Sequence, residues 1–214
     1  MKFKSPTLNA SFAITSGPVW PSVAFETDAT GAHTWTWAIQ WGSFKKSGTV
    51  QTPGNTWDAQ TVIANFGGTL TVGAAAGKDS ASITVKIIGT NPSAAEVNTY
   101  LATKPGSDGF DKLLQHESGF KNFKDNGEAV KSFDNGYGMC QLTSPPPSFE
   151  QKWNWKLNVD GGLATSAMIK RLQPIRTRLI MRLREQKKGH GPDERCSRPS
   201  KSWALGKSRP VGLG

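Results

Sequence analysis

Residues 33–41 read HTWTWAIQW. In an extended chain Trp35, Trp37, Ile39 and Trp41 fall on one side, and Thr34, Thr36, Ala38 and Gln40 on the other. That is a period of two, and the β-branched and aromatic content suits a half-buried strand. Working outward, TLTV at 69–72 and SITVKI at 82–87 repeat the pattern. Between and around them stand turn-forming clusters, TPGNT at 52–56, FGGT at 66–69 and GKDS at 77–80. Short strands with turns at this spacing predict an antiparallel β-sandwich over residues 18–91, with 1–17 as an N-terminal extension. No cysteine pair lies in this stretch, so Trp35, Trp37 and Trp41 must supply its core. A tryptophan stripe left in water would instead stack carbohydrate, but burial is its commoner fate.

The period changes at GTNPSAAEVNTYLA, residues 89–102. Ser93 followed by Glu96 has the spacing of a capping box, and helix-forming residues follow. A domain boundary is therefore expected at Asn91–Pro92, with helical and loop segments running to residue 169. From 170 onward the charge is lopsided. The chain carries 26 Lys and Arg against 16 Asp and Glu, and residues 170–214 hold 13 of the former but 3 of the latter. The remainder balances at 13 against 13, so the net charge of +10 belongs to the last segment. There MIKRLQPIRTRLIMRLREQKK reads as a basic amphipathic helix interrupted at Pro174, followed by a Gly-, Pro- and Ser-rich stretch of disordered composition.

FDKLLQHESGF, residues 110–120, raises a chemical question. Phe110, Leu113 and Leu114 share one helix face, and Glu117 is the next position along it. Ser118-Gly119 then ends the helix. A carboxylate half-desolvated by such neighbours is expected to favour its protonated form, since burial penalises charge. That is the state a glycosidic general acid needs. On this pattern alone a solvated helix-end carboxylate is the commoner explanation of Glu117, by about three to one.

Downstream come DNGYGMCQLT at 134–143 and WNWKLNVDGG at 153–162. Glu117-Ser118-Gly119, then Gly136-Tyr137-Gly138-Met139-Cys140-Gln141-Leu142, then Asn158-Val159 and Gly162, together resemble the soluble lytic transglycosylases. The middle segment is also similar to goose-type lysozymes. The alternating segment before them is similar to bacterial immunoglobulin-like modules. The resemblance implies an α+β, multidomain chain: an antiparallel immunoglobulin-like sandwich, then a mainly α lysozyme-like domain over 92–169, incomplete, then the basic tail. It implies that Glu117 is the catalytic acid/base, and that Ser118, Tyr137, Gly138, Met139 and Gln141 line a sugar-binding cleft.

Glycine lets backbone approach a saccharide, and a glutamine amide can both donate to and accept from sugar hydroxyls. A second carboxylate, if the reaction is hydrolytic, is best placed at Asp134, with Asp125, Glu128 and Asp160 also available. A lytic transglycosylase needs none, because its one Glu first protonates the bridging oxygen and then deprotonates the muramoyl 6-hydroxyl. The chain departs from the family after residue 163, and no tyrosine follows Tyr137. Two readings of 170–214 stay open: a shifted reading frame replacing the family's last helices, or a genuine tail that binds anionic polymers.

Other chemistries lack support. P-loop, dinucleotide-binding and Ser/His/Asp signatures are missing, as is any zinc-ligand spacing among His33, His116, His190, Cys140 and Cys196. No metal or other cofactor is expected, nor nucleic acid as partner. The expected partner is peptidoglycan, the expected state a monomer, and the expected location periplasmic or extracellular. No apolar run approaches the roughly 18 residues of a membrane span. Pro6, Asn9 and Ser11 break up the place where a signal sequence would carry its apolar stretch. A non-catalytic protein holding wall glycan is the rival reading.

Overall fold

A computed structural model describes residues 1–169. Strands β1 (Phe3–Ser5), β3 (Ala24–Thr27) and β6 (Thr56–Asp58) form a three-stranded sheet in the order β1-β3-β6. Strands β2 (Ser11–Ile14), β4 (His33–Trp41), β5 (Phe44–Thr52), β7 (Gly68–Ala76) and β8 (Asp79–Gly89) form a five-stranded sheet, ordered β2-β8-β7-β4-β5. The alternation read from the sequence is realised in β4, where Trp35 and Ile39 are fully buried while Thr36 and Gln40 face water. The sheets meet through aromatic rings. Phe25 of β3 stacks on Trp57 of β6 at 5.7 Å, and Trp57 lies 6.0 Å from Trp35 across the interface.

Only Trp35 of the three expected core tryptophans is fully buried. Trp37 is half-buried and lies flat over β5, where a Cβ on Gly48 would come within 2.8 Å of its ring. Residues 1–17, read from the sequence as an extension, supply β1 to one sheet and β2 to the other. Moreover β2 runs parallel to β8, from Ser11 opposite Lys86 to Ile14 opposite Gly89, so the five-stranded sheet is not purely antiparallel.

Three helices follow: α1 (Ala94–Ala102), α2 (Phe110–Ser118) and α3 (Phe149–Trp153), and residues 155–169 are also helical. The capping box forms as the spacing predicts, with Ser93 Oγ accepting from the Glu96 N–H at 3.2 Å and Glu96 Oε2 accepting from the Ser93 N–H at 2.7 Å. Between α2 and α3 the chain is loop. Left-handed backbone at Phe120, Asn135 and Gln141, and at Gly119, Gly127 and Gly138, breaks any helical run there, and Pro145, Pro146 and Pro147 follow.

The expected fold class is therefore corrected. The described residues give a mixed arrangement of two sheets with few helices, and a mainly α lysozyme-like domain is not seen. Residues 1–169 form one compact unit, and the reason lies in shared core. Phe123, Ala129, Phe149 and Trp153 are buried in the same cluster as the sheet residues Trp35, Leu70 and Val85. Trp153 packs edge-on to Trp41 at 5.7 Å and lies so close over Gly67 that a Cβ there would fall 2.0 Å from its ring. Phe123 covers Gly89 in the same way, at 2.2 Å.

At the expected boundary, Asn91 acts as a stitch. Its Oδ1 accepts from the Asn122 and Phe123 N–H groups, each at 2.8 Å, and its Nδ2 donates to the Phe123 carbonyl at 2.8 Å. The amphipathic helix, Pro174, Cys196 and the whole basic segment expected at 170–214 lie outside the described residues. No helix among the described residues is long and apolar enough to cross a membrane.

Because Gly67 is there to make room for an indole, Gly67→Ala is expected to destabilise the chain by about 1–3 kcal/mol through overpacking. Urea unfolding followed by tryptophan fluorescence and by far-UV circular dichroism should show one shared, shifted transition. An unchanged midpoint would contradict the packing of Trp153 on the sheet.

Candidate functional site

The end of α2 is set by Gly119, whose left-handed φ of 59° lets its N–H close on the Gln115 carbonyl at 3.1 Å. Phe110 and Leu114 point inward and are buried, but Leu113 is 44% exposed. The Glu117 side chain is 39% exposed. The apolar enclosure expected from its own helix face is thus not built, because the buried stripe centres on Phe110 and Leu114 and leaves Leu113 at its margin. His116, largely in water, brings Nδ1 to 3.9 Å from Glu117 Oε1. Ser118 spends its hydroxyl on the Leu114 carbonyl one turn back, at 3.2 Å.

The turn at 136–142 lies against this helix. Met139 is fully buried and shares a cluster with Phe110 and Leu114 of α2, Val97 and Leu101 of α1, and Trp155 and Val159. It therefore packs the core and does not line a cleft. Gly138 is also buried, and a Cβ there would meet Asn158 Nδ2 at 2.4 Å and Asn122 Oδ1 at 2.6 Å. The room this glycine frees is filled by protein, not by a sugar. Gln141 turns its Nε2 back to the Gly138 carbonyl at 2.7 Å. Tyr137 is half-buried, edge-on to Trp41 at 6.1 Å and to Phe44 at 6.2 Å.

Two buried asparagines clasp the turn. Asn122 Oδ1 accepts from the Met139 N–H at 3.1 Å, while its Nδ2 donates to the Lys152 carbonyl at 3.1 Å. Asn158 Oδ1 accepts from the Cys140 N–H at 2.8 Å, while its Nδ2 donates to the Tyr137 carbonyl at 3.1 Å. Every amide atom facing the turn is thereby used, as burial requires. Asn158 belonged to the resemblance, whereas Asn122 drew no notice, since a lone Asn inside FKNF carries no sequence signal.

Cys140 lies where the turn meets the helices. Burial pushes the Cys140 thiol up to about 12, and the charges of Asp160 and Glu117 push the same way. A Cβ on Gly162 would meet Cys140 Sγ at 2.6 Å and the Phe110 ring at 3.0 Å, so the thiol sits between α2 and the 155–169 helix. Asp160 is held by the Tyr100 hydroxyl at 2.9 Å and by Lys104 Nζ at 2.9 Å.

Asp134, the favoured second carboxylate, is instead a loop fastener. It accepts from the Ser132 hydroxyl at 2.5 Å and the Gly136 N–H at 3.4 Å, and the Ser132 bond first of all holds its carboxyl below the usual range. Lys152 is fully buried, and among the described residues no carboxylate lies within hydrogen-bond reach of it. Its ammonium donates to the Pro147 and Ser148 carbonyls and lies 4.0 Å from the Phe44 ring centre and 4.6 Å from that of Tyr137. Burial pushes its pKa down. Among the described residues, no group of three or more His, Cys, Asp or Glu side chains is placed to hold a metal ion.

No protein-family model and no curated protein matches the chain. The clasp and the burial of Cys140 lead to a chemical expectation. In a Cys196→Ser background, Cys140 should resist a disulfide reagent at pH 8 while the chain is folded and react on unfolding. Fast reaction of the native thiol would contradict this packing.

Proposed function

We propose that the chain cleaves the β-1,4 bond between N-acetylmuramic acid and N-acetylglucosamine in peptidoglycan, by the lytic transglycosylase route, with Glu117 as its single acid/base. The observation that carries this reading is the meeting of the motifs. The helix ending in Glu117-Ser118-Gly119 packs against the turn Gly136–Leu142 through Phe110, Leu114 and Met139, and Asn158 fastens that turn. These are the three segments on which the resemblance to soluble lytic transglycosylases rests. A half-exposed carboxylate at the end of a helix is reachable by a polymer, which a fully buried one is not.

In this reaction the Glu117 carboxyl gives its proton to the bridging oxygen as the C1–O bond breaks. The resulting carboxylate then takes the proton of the muramoyl 6-hydroxyl, whose oxygen closes on C1. Proton and electron pair balance without water, so no second carboxylate is needed. Asp134, committed to Ser132 and Gly136, is not called upon. The tight internal bonding of Gly138, Met139 and Gln141 gives them the role of a strut behind Glu117. Contact with sugar falls to Tyr137 and the end of α2. Such a substrate lies outside the cytoplasmic membrane, in the periplasm or beyond the cell.

The same internal bonding favours a second reading, a non-catalytic protein that holds wall glycan. Zymograms with purified sacculi separate the two. The wild-type chain should clear the gel, and Glu117→Gln should lower the rate by on the order of a hundredfold or more, the usual loss with a general acid. Equal clearing by both proteins, or none by the wild type, removes the enzymatic reading.

A further inference from the structure

The outer face of the five-stranded sheet has a composition that the proposed glycan cleavage does not use. The strand register aligns Lys45, Gln40, Thr69 and Lys86 in one row across β5, β4, β7 and β8. The next row aligns Ser47, Ala38, Thr71 and Thr84. Neighbours within a row are about 4.8 Å apart and rows on one face about 6.8 Å apart. Thr71 and Thr84 already bring their hydroxyls to 3.3 Å of one another. Two grooves, of about 320 and 540 Å³, cross this face and share Gln40, Gly42 and Thr69, so they form one continuous track. Trp41 and Trp153 wall the first groove where it passes from the sheet to the 124–129 loop.

Neither Lys45 nor Lys86 pairs with a carboxylate among the described residues. Among the described residues the one carboxylate lining the track, Glu128, stands on the loop and off the sheet. We infer that this face is a docking surface for a linear, carboxylate-bearing polysaccharide of the uronic acid kind. The two lysines take its carboxylates. The Thr, Ser and Gln side chains, each able to donate and accept, exchange hydrogen bonds with its hydroxyls. Small Ala38 in the second row keeps the track open. Two lysines are too few for a duplex nucleic acid, whose binding is built on many phosphate contacts. The inference stands apart from the transglycosylase reading, since neither groove is lined by Glu117 or any other residue of α2.

Affinity electrophoresis of the full chain in gels cast with polygalacturonate, neutral dextran or short duplex DNA tests it. The segment 170–214 is present in every variant, so its contribution cancels in comparisons. The wild type should be retarded by polygalacturonate more than by dextran. Lys45→Glu/Lys86→Glu should weaken that binding on the order of tenfold. Thr71→Trp, which fills the track without altering charge, should weaken it comparably, with urea midpoints unchanged in both variants. Several outcomes overturn the proposal: no retardation of the wild type, undiminished retention of the lysine variant, full binding by Thr71→Trp, or loss of DNA retention in parallel with that of polygalacturonate.

Discussion

The structure depends on two rings seated where glycines leave room: Trp153 on Gly67 and Phe123 on Gly89. Each closes a gap that no other residue at 67 or 89 would permit, and together they fix the loop-and-helix segment to the sheets. Once Trp153 is seated, Trp41 meets it edge-on and Tyr137 reaches Trp41, so the Gly-rich turn inherits its position from the sheet. The ammonium of Lys152, lodged between Phe44 and Tyr137 and held by two carbonyls, fills the remaining space beneath. Removing a charge from water is costly, and here aromatic faces and carbonyl dipoles offset part of the loss, with no counter-ion among the described residues.

A second constraint acts on the turn itself. Asn122 comes from the segment stitched by Asn91, and Asn158 from the first turns of the 155–169 helix. Each gives one acceptor and one donor to backbone around Gly138. The turn therefore has little freedom to slide, and Cys140 is pinned beside Gly162 and Phe110. Glu117 sits at the rim of this fixed assembly, its carboxylate half in water and its helix closed by a left-handed glycine. That division between rigid strut and accessible acid is what the proposed chemistry uses.

Some of this was legible in the sequence. The alternation of HTWTWAIQW and the Ser93–Glu96 capping box are local patterns, set by residues near one another, and both the strand and the cap form, although of the three tryptophans only Trp35 is fully buried. β1 and β2 were not legible, because strands of three and four residues are too short to display a period. The parallel pairing of β2 with β8 joins residues about seventy-five positions apart and leaves no local trace. The expected boundary at Asn91–Pro92 followed a true change of period, yet a change of secondary structure is not a break in the core. Met139 and Gly138 illustrate the same gap at the site. A motif places residues in order, but only packing tells that one fills a core and the other makes way for two asparagines.

The central claim is that one carboxylate, unaided by water, both breaks the glycosidic bond and closes the muramoyl ring. Mass spectrometry of the soluble fragments released from sacculi by the full chain addresses it most directly. The account predicts muramoyl termini one water lighter than the hydrolysis products, and their disappearance in the Glu117→Gln chain. Fragments that carry only reducing muramoyl ends would contradict it.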